Sequence, residues 1–214
     1  MTTSRITASK RIVATSRMAV LAVAITGASL LGACAPLIIG GAMVGTALSV
    51  TDRRTGGAQV EDQAIELKAM SRLREAVGSD ANVSVTSYNR TVLITGEVPT
   101  EAARSLAEQT IARIENVRAT VNELAVMGST TLAARSNDAI LSSKVKAAFI
   151  DAKDLQANAV KVVAERGTIF LMGRVTEREA NRATELARAT SGVGKVVRVF
   201  EILSEAELAA LQSK

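Results

Sequence analysis

Histidine and tryptophan are absent from the 214 residues, and the chain holds one cysteine, one tyrosine, two prolines and three phenylalanines. Without histidine there is no imidazole to act as a general base near neutral pH, no Ser-His-Asp or Cys-His arrangement, and no His-bearing zinc site. A single cysteine excludes a disulfide within the chain and a cysteine-ligated metal cluster. With aromatic residues at 2% of the composition, a platform on which nucleic-acid bases stack is missing. A cryptic serine or carboxylate hydrolase would need an activated nucleophile, and neither a Gly-x-Ser-x-Gly turn nor a partnering imidazole is present. The residues point to a non-enzyme with no cofactor, no metal and no nucleic-acid partner.

Excess charge is also scarce once its location is read. Lys and Arg number 26 against 21 Asp and Glu, but the first 33 residues hold Arg5, Lys10, Arg11 and Arg17 and no acid, which leaves 22 basic against 21 acidic side chains in the rest. The basic balance belongs to the leader, so a polyanion-binding role for the whole chain has no support.

The leader has three zones. A polar basic stretch ends at Arg17, an apolar run follows from Met18 to Leu31, and small residues precede Cys34. The 14-residue run is short for a membrane span, which takes roughly 20 residues, and its flanks match an export signal. Leu31-Gly32-Ala33-Cys34 resembles the bacterial lipobox. That resemblance implies a signal peptide over 1–33, cleavage before Cys34, and a diacylglycerol-modified thiol at the new N-terminus. Ala35 in the next position, by similarity to enterobacterial sorting rules, favours the outer membrane. Each buried methylene contributes about 0.8 kcal/mol, so two or three acyl chains make a lasting anchor where one holds marginally.

Pro36 to Val50 is again uncharged, and uncleaved it would join the leader into a stretch long enough to span. Gly41 and Gly45 make a GxxxG spacing that is weak in so Gly/Ala-rich a tract. The simpler expectation is a membrane-proximal tether over 34–61, with Arg53 and Arg54 near anionic head groups.

The remainder contains one unit twice. Val83-x-Val85 and Val92-Leu93-Ile94-Thr95-Gly96-Glu97-Val98 align, at a constant shift of 77, with Val160-x-Val162 and Ile169-Phe170-Leu171-Met172-Gly173-Arg174-Val175. The copies cover about 62–127 and 136–203, with a linker over 128–135 and a tail over 204–214. Each copy opens on a helix: Ile65, Ala69, Leu73 and Val77 recur every fourth residue in the first, and Leu141, Val145 and Phe149 in the second, where Ser136 or Asn137 is the expected cap. Two β-rich runs follow, split at Ser87 to Arg90 and at Glu165 to Gly167. Second helices are expected over 100–114 and 177–190, the latter with a Thr176-x-x-Glu179 capping box, and final strands over 117–126 and 196–203. Gly96 and Gly173 interrupt strands at matching places, which signals a close approach or a bulge.

The double α-β-β-α-β pattern, the Gly-x-Val step into the second helix, and the exit Gly192-Val193-x-x-Val196 resemble the BON domain. With Cys34 and the stretch from Phe170 to Ala180, the chain is similar to the dual-BON outer-membrane lipoproteins of the DolP type, whose soluble relative OsmY shares the modules without the anchor. The resemblance implies an α+β fold of two tandem modules, each with two helices on one face of a three-stranded mixed sheet. It also implies a lipid-anchored protein on the periplasmic face of the outer membrane that binds phospholipid and supports membrane integrity.

Charge separates the copies. Residues 62–127 carry seven basic and nine acidic side chains, net −2, whereas 136–203 carry eleven and eight, net +3. Only the second has the sign to approach anionic lipid such as phosphatidylglycerol or cardiolipin. On its first helix Leu141, Val145, Ala148 and Phe149 form a core stripe, with Ile140, Lys144 and Ala147 beside it. Ile140 and Lys144, flanked by Lys146, make the wedge-and-cation edge of an interfacial helix. The resemblance, too, places lipid contact in the second module. Arg174, Arg178, Arg182 and Arg188 alternate with Glu177, Glu179 and Glu185, a pattern read as a solvated face of paired charges. The acidic first module fits a structural or protein-binding role. The alternative for the whole is therefore an adaptor that grips envelope proteins such as the outer-membrane assembly machinery.

Overall fold

A computed structural model describes residues 52–78 and 81–212 of the chain. The first module runs α1 (Gly56–Val77), β1 (Asn82–Tyr88), β2 (Thr91–Val98), α2 (Glu101–Ala112) and β3 (Ala119–Val126). The second runs α3 (Leu132–Asp151), β4 (Val160–Glu165), β5 (Thr168–Thr176), α4 (Glu177–Ala189) and β6 (Lys195–Leu203), and a short α5 (Glu205–Gln212) closes the chain. In each sheet the second strand is central, antiparallel to the first and parallel to the third. The parallel pair is the crossover partner of the intervening helix, as a β-α-β connection requires. The expected α+β class and two-module organisation are what the structure shows.

Period-two alternation along the central strands sends successive residues to opposite faces, and so to two different cores. In β2, Val92, Ile94 and Val98 face the helices and pack with Ile65, Ala69, Leu73, Ala107 and Ile111. In β5, Ile169, Leu171 and Val175 do the same against Leu141, Val145, Phe149 and Ala183. The intervening Leu93, Phe170 and Met172 meet one another and Tyr88 in a third core, edged by Val121, Val163, Val197 and Val199. The sheets thus pack face to face, helices outermost, and both central strands are buried on two sides.

Hairpin geometry repeats between modules. The turns are two residues long, Asn89-Arg90 at φ 48° and 66° and Arg166-Gly167 at φ 48° and 70°. Both central positions are left-handed, as the mirror-image hairpin turn demands. A helix aspartate holds each turn: the Asp62 carboxylate accepts from the Asn89 and Arg90 amides at 2.8 Å each, and Asp138 accepts from those of Arg166 and Gly167 at the same distance. Ser87 and Tyr88, expected in the turn, belong to β1 and are buried, because the Ser87 hydroxyl donates to Asp62 and Tyr88 fills the third core.

Other boundaries differ for local reasons. Helix α3 begins at Leu132, inside the expected linker, because the Thr131 hydroxyl accepts from Ala134 N and caps it; Ser136 and Asn137 lie within the helix. Helix α1 begins at Gly56 behind Thr55, so part of the expected tether is helical. Beyond Leu203, Ser204 and Glu207 cap each other reciprocally, which starts α5 where a tail was expected. The capping box at Thr176 and Glu179 is present as read.

The two strand glycines mark close approaches of backbone rather than of a helix. A Cβ on Gly96, at φ 114°, would strike the Asn82 carbonyl across the β1–β2 pair, and one on Gly173 would strike that of Ala159. Gly96→Ala is therefore expected to destabilise the protein by about 2–3 kcal/mol in urea unfolding. Gly128→Ala, where a Cβ meets nothing within 4 Å, is expected to leave the midpoint unchanged.

Candidate functional site

Helix α3 presents three faces. Leu141, Val145 and Phe149 are buried. Ile140 is 56% exposed, and one turn on Lys144 is also exposed. They line a shallow groove of about 380 Å³, with Asp138 beside them and the Arg166-Gly167 and Ser191-Gly192 turns opposite. Lys146 does not join them. At 100° per residue it sits about 200° round the helix from Lys144. It lines a separate hollow of about 300 Å³ with Ile150, Asn158, Lys161, Tyr88 and Arg54. The sequence triad thus divides into Ile140 with Lys144 on one face and Lys146 with Ile150 on another. Ile150, 72% exposed, went unread, although its place one turn after Lys146 was the available signal. Among the described residues neither Lys144 nor Lys146 is in an ion pair, so both charges are available to solvent or ligand.

Other charges are committed to the seam between the sheets. At one end Arg166 donates to the Gly96 carbonyl at 2.8 Å and to Glu97 Oε1 at 3.0 Å. Glu97 is 1% exposed and accepts further bonds from Asn82 and the Thr130 amide. Burial pushes its carboxyl up, but the bonds from Asn82, Arg166 and Thr130 hold it below the ordinary value. Glu165, beside it, lies above the ordinary value through burial and the nearby Glu97 charge.

At the other end a strap of three residues crosses the seam. Arg53 donates to both carboxylate oxygens of Glu179 at 2.7 Å, to the Arg174 carbonyl at 2.9 Å and to Gln156. Arg174 returns a bond to the Arg53 carbonyl at 3.0 Å and donates to Glu201, which also takes the Asn89 side-chain amide. Arg54 turns the opposite way, onto Asp52 and onto Asp62 at 2.8 Å, with its guanidinium 4.3 Å from the Tyr88 ring centroid. Arg53 and Arg54 were expected near lipid head groups, and Arg174 and Glu179 on a solvated face. The structure corrects both readings, since complementary carboxylates and carbonyls draw these groups into the protein. Arg178 and Arg182 are at the surface as expected. Cys34 and the lipobox residues Leu31, Gly32 and Ala33 lie outside the described residues.

The family model of the BON domain matches residues 61–128 and again 137–204. The chain belongs to the BON-domain family. Outer membrane lipoprotein DolP of Haemophilus influenzae is 34% identical over 186 residues, covering 86% of this chain and 95% of that protein. A 21 kDa hemolysin of Actinobacillus pleuropneumoniae is 31% identical over 151 residues, 70% of this chain and 78% of that one. CdsD, a structural protein of the type III secretion system of Chlamydia trachomatis, aligns with a TM-score of 0.28 at 12% identity, over 73% of this chain and 98% of that one. Two matched BON modules, together with the first relative, make this a dual-BON protein of the DolP type.

The seam charges of this BON pair set its response to mutation and pH. Arg166→Ala leaves the buried Glu97 with Asn82 and Thr130 but no cation, and a loss of about 2–3 kcal/mol in urea unfolding is expected, below the cost of breaking a fully buried pair because the Arg166 side chain is 26% exposed. Asp62, Glu97 and Glu179 have lowered values in the folded state, so their stabilisation is complete above the ordinary carboxylate range and is lost as pH falls through it. Glu165 has the opposite sign: the folded state holds its proton more tightly, so ionisation costs stability as pH rises through 4.5 and beyond. Glu165→Gln is expected to raise the thermal midpoint at pH 7 and to leave it unchanged at the acid end, as calorimetry across pH would read.

Proposed function

We propose that this chain is a lipid-anchored outer-membrane protein that faces the periplasm and meets anionic phospholipid through its second BON module. It supports membrane integrity by positioning itself on lipid, and no covalent chemistry is required. Among the described residues no helix is long and apolar enough to cross a membrane. The anchor in this reading is the acylated thiol of Cys34. The name of the first relative, an outer-membrane lipoprotein, supports that address.

The observation that carries the lipid reading is Ile140, exposed one turn from an unpaired Lys144 in the module with net charge +3. An apolar wedge gains from entering the acyl boundary, and each cation near an anionic surface contributes about 1 kcal/mol. Lys146 and Ile150 repeat the combination on the adjoining face, so a helix lying in the interface can use both.

The second reading, an adaptor for envelope proteins such as the assembly machinery, is favoured by Val60 and Leu67, which are 68% and 72% exposed on α1 of the acidic module. Flotation of the chain from residue 51 onward with phosphatidylglycerol or cardiolipin vesicles separates the two. Ile140→Glu is expected to weaken binding roughly tenfold or more and Lys144→Glu about fivefold. Binding that ignores Ile140→Glu, together with a protein crosslink in cells that survives it, would favour the adaptor. Acyl labelling that is lost in Cys34→Ser is the expected result for the anchor.

A further inference from the structure

We infer that Asp52–Arg54 is a fastening strap: it ties the end of the chain that leads to the N-terminal segment across the seam, so that both BON modules and this departure point move as one body. Two consecutive arginines reach opposite modules. Arg53 serves the second, through Glu179, the Arg174 carbonyl and Gln156, and Arg54 serves the first, through Asp62.

The partners are themselves structural. Glu179 is the residue that closes the α4 capping box, and Asp62 holds the β1–β2 turn. The side chains of Arg53 and Glu179 are each 6% exposed. Taking a guanidinium that far from water is offset only when its donors find fixed acceptors, and the bidentate bond to Glu179 with two carbonyl bonds supplies them for the four terminal N–H groups, while the buried Nε has no partner among the described residues. A solvated tether would leave both arginines in water.

Seventeen residues, 35–51, separate Cys34 from Asp52, and fully extended they span at most roughly 60 Å. Asp52 also lines the hollow shared with Lys146 and Ile150 and not the Ile140 groove, so the fastened residue itself lies on that side of α3. This consequence for reach rests on the lipid-anchor reading; the strap itself rests on the bonds of residues 52–54.

Trypsin tests the strap directly, because its arginines are cleavage sites. In the full chain held in detergent without lipid, cleavage after Arg54 is expected to be slow, and at least tenfold faster in Arg53→Ala and in Glu179→Gln, where the amide can still cap α4. Cleavage after Arg174, inside β5, is expected to keep its rate. Equal rates after Arg54 in all three proteins would overturn the inference, and so would equal acceleration after Arg174, which would mean that the modules had opened and no local strap existed. A chain that proves unlipidated would sink the anchor reading and leave these rates intact.

Discussion

Two β-sheets that each need a second cover set the terms for everything else in this molecule. Helices shield one face of each sheet, and an uncovered second face would leave Leu93 and Tyr88, or Phe170 and Met172, in water. Full burial of such side chains contributes about 1.5–3 kcal/mol each. By meeting face to face the modules satisfy this requirement together, and the polar groups caught at the margins must then find partners inside the seam. Arg166 with Glu97 at one end, and Arg53, Arg174, Glu179 and Glu201 at the other, are the result. The seam is therefore apolar in the middle and ionic at its ends.

The same constraint explains why the surface proposed to meet lipid lies on the outside. Once α1 and α2, or α3 and α4, bury one side on a sheet, only their outer faces remain for partners. In α3 that outer face is wide enough to carry two stripes, Ile140 with Lys144 and Lys146 with Ile150, on either side of the helix axis. The first helix of the other module also exposes Leu67 and Met70 beside Lys68, Arg72 and Arg74, so what separates the two modules is net charge, −2 against +3. Equal folds thus present unequal surfaces.

Much of this was legible from residues alone. The shift of 77 identifies the repeat because a three-strand, two-helix unit imposes the same hydrophobic spacing wherever it recurs. Core positions such as Ile65, Leu141 and Phe149 follow from helical period, and the Thr176 cap from its partner three residues on. The seam was harder. Its trace is the unbroken run Val92-Leu93-Ile94 and its counterpart Ile169 to Met172, since a strand covered on both sides does not alternate. Arg53 and Arg54 misled because two arginines beside an apolar tract suit a head-group layer as well as a buried carboxylate; only the fold brings Glu179, 126 residues away, within reach. Lys146 was grouped with Lys144 by proximity in the chain, whereas helical rotation separates them.

The reciprocal cover has a bearing on how such a protein could have arisen and on what its fragments would do. Duplication of one unit supplies, in a single polypeptide, the lid that a solitary unit must otherwise obtain from another molecule. Either half expressed alone would carry a bare β-surface about one sheet wide, and its readiest remedy is a second copy of itself. The fused gene converts that concentration-dependent encounter into an intramolecular one, and frees the two outer surfaces to diverge.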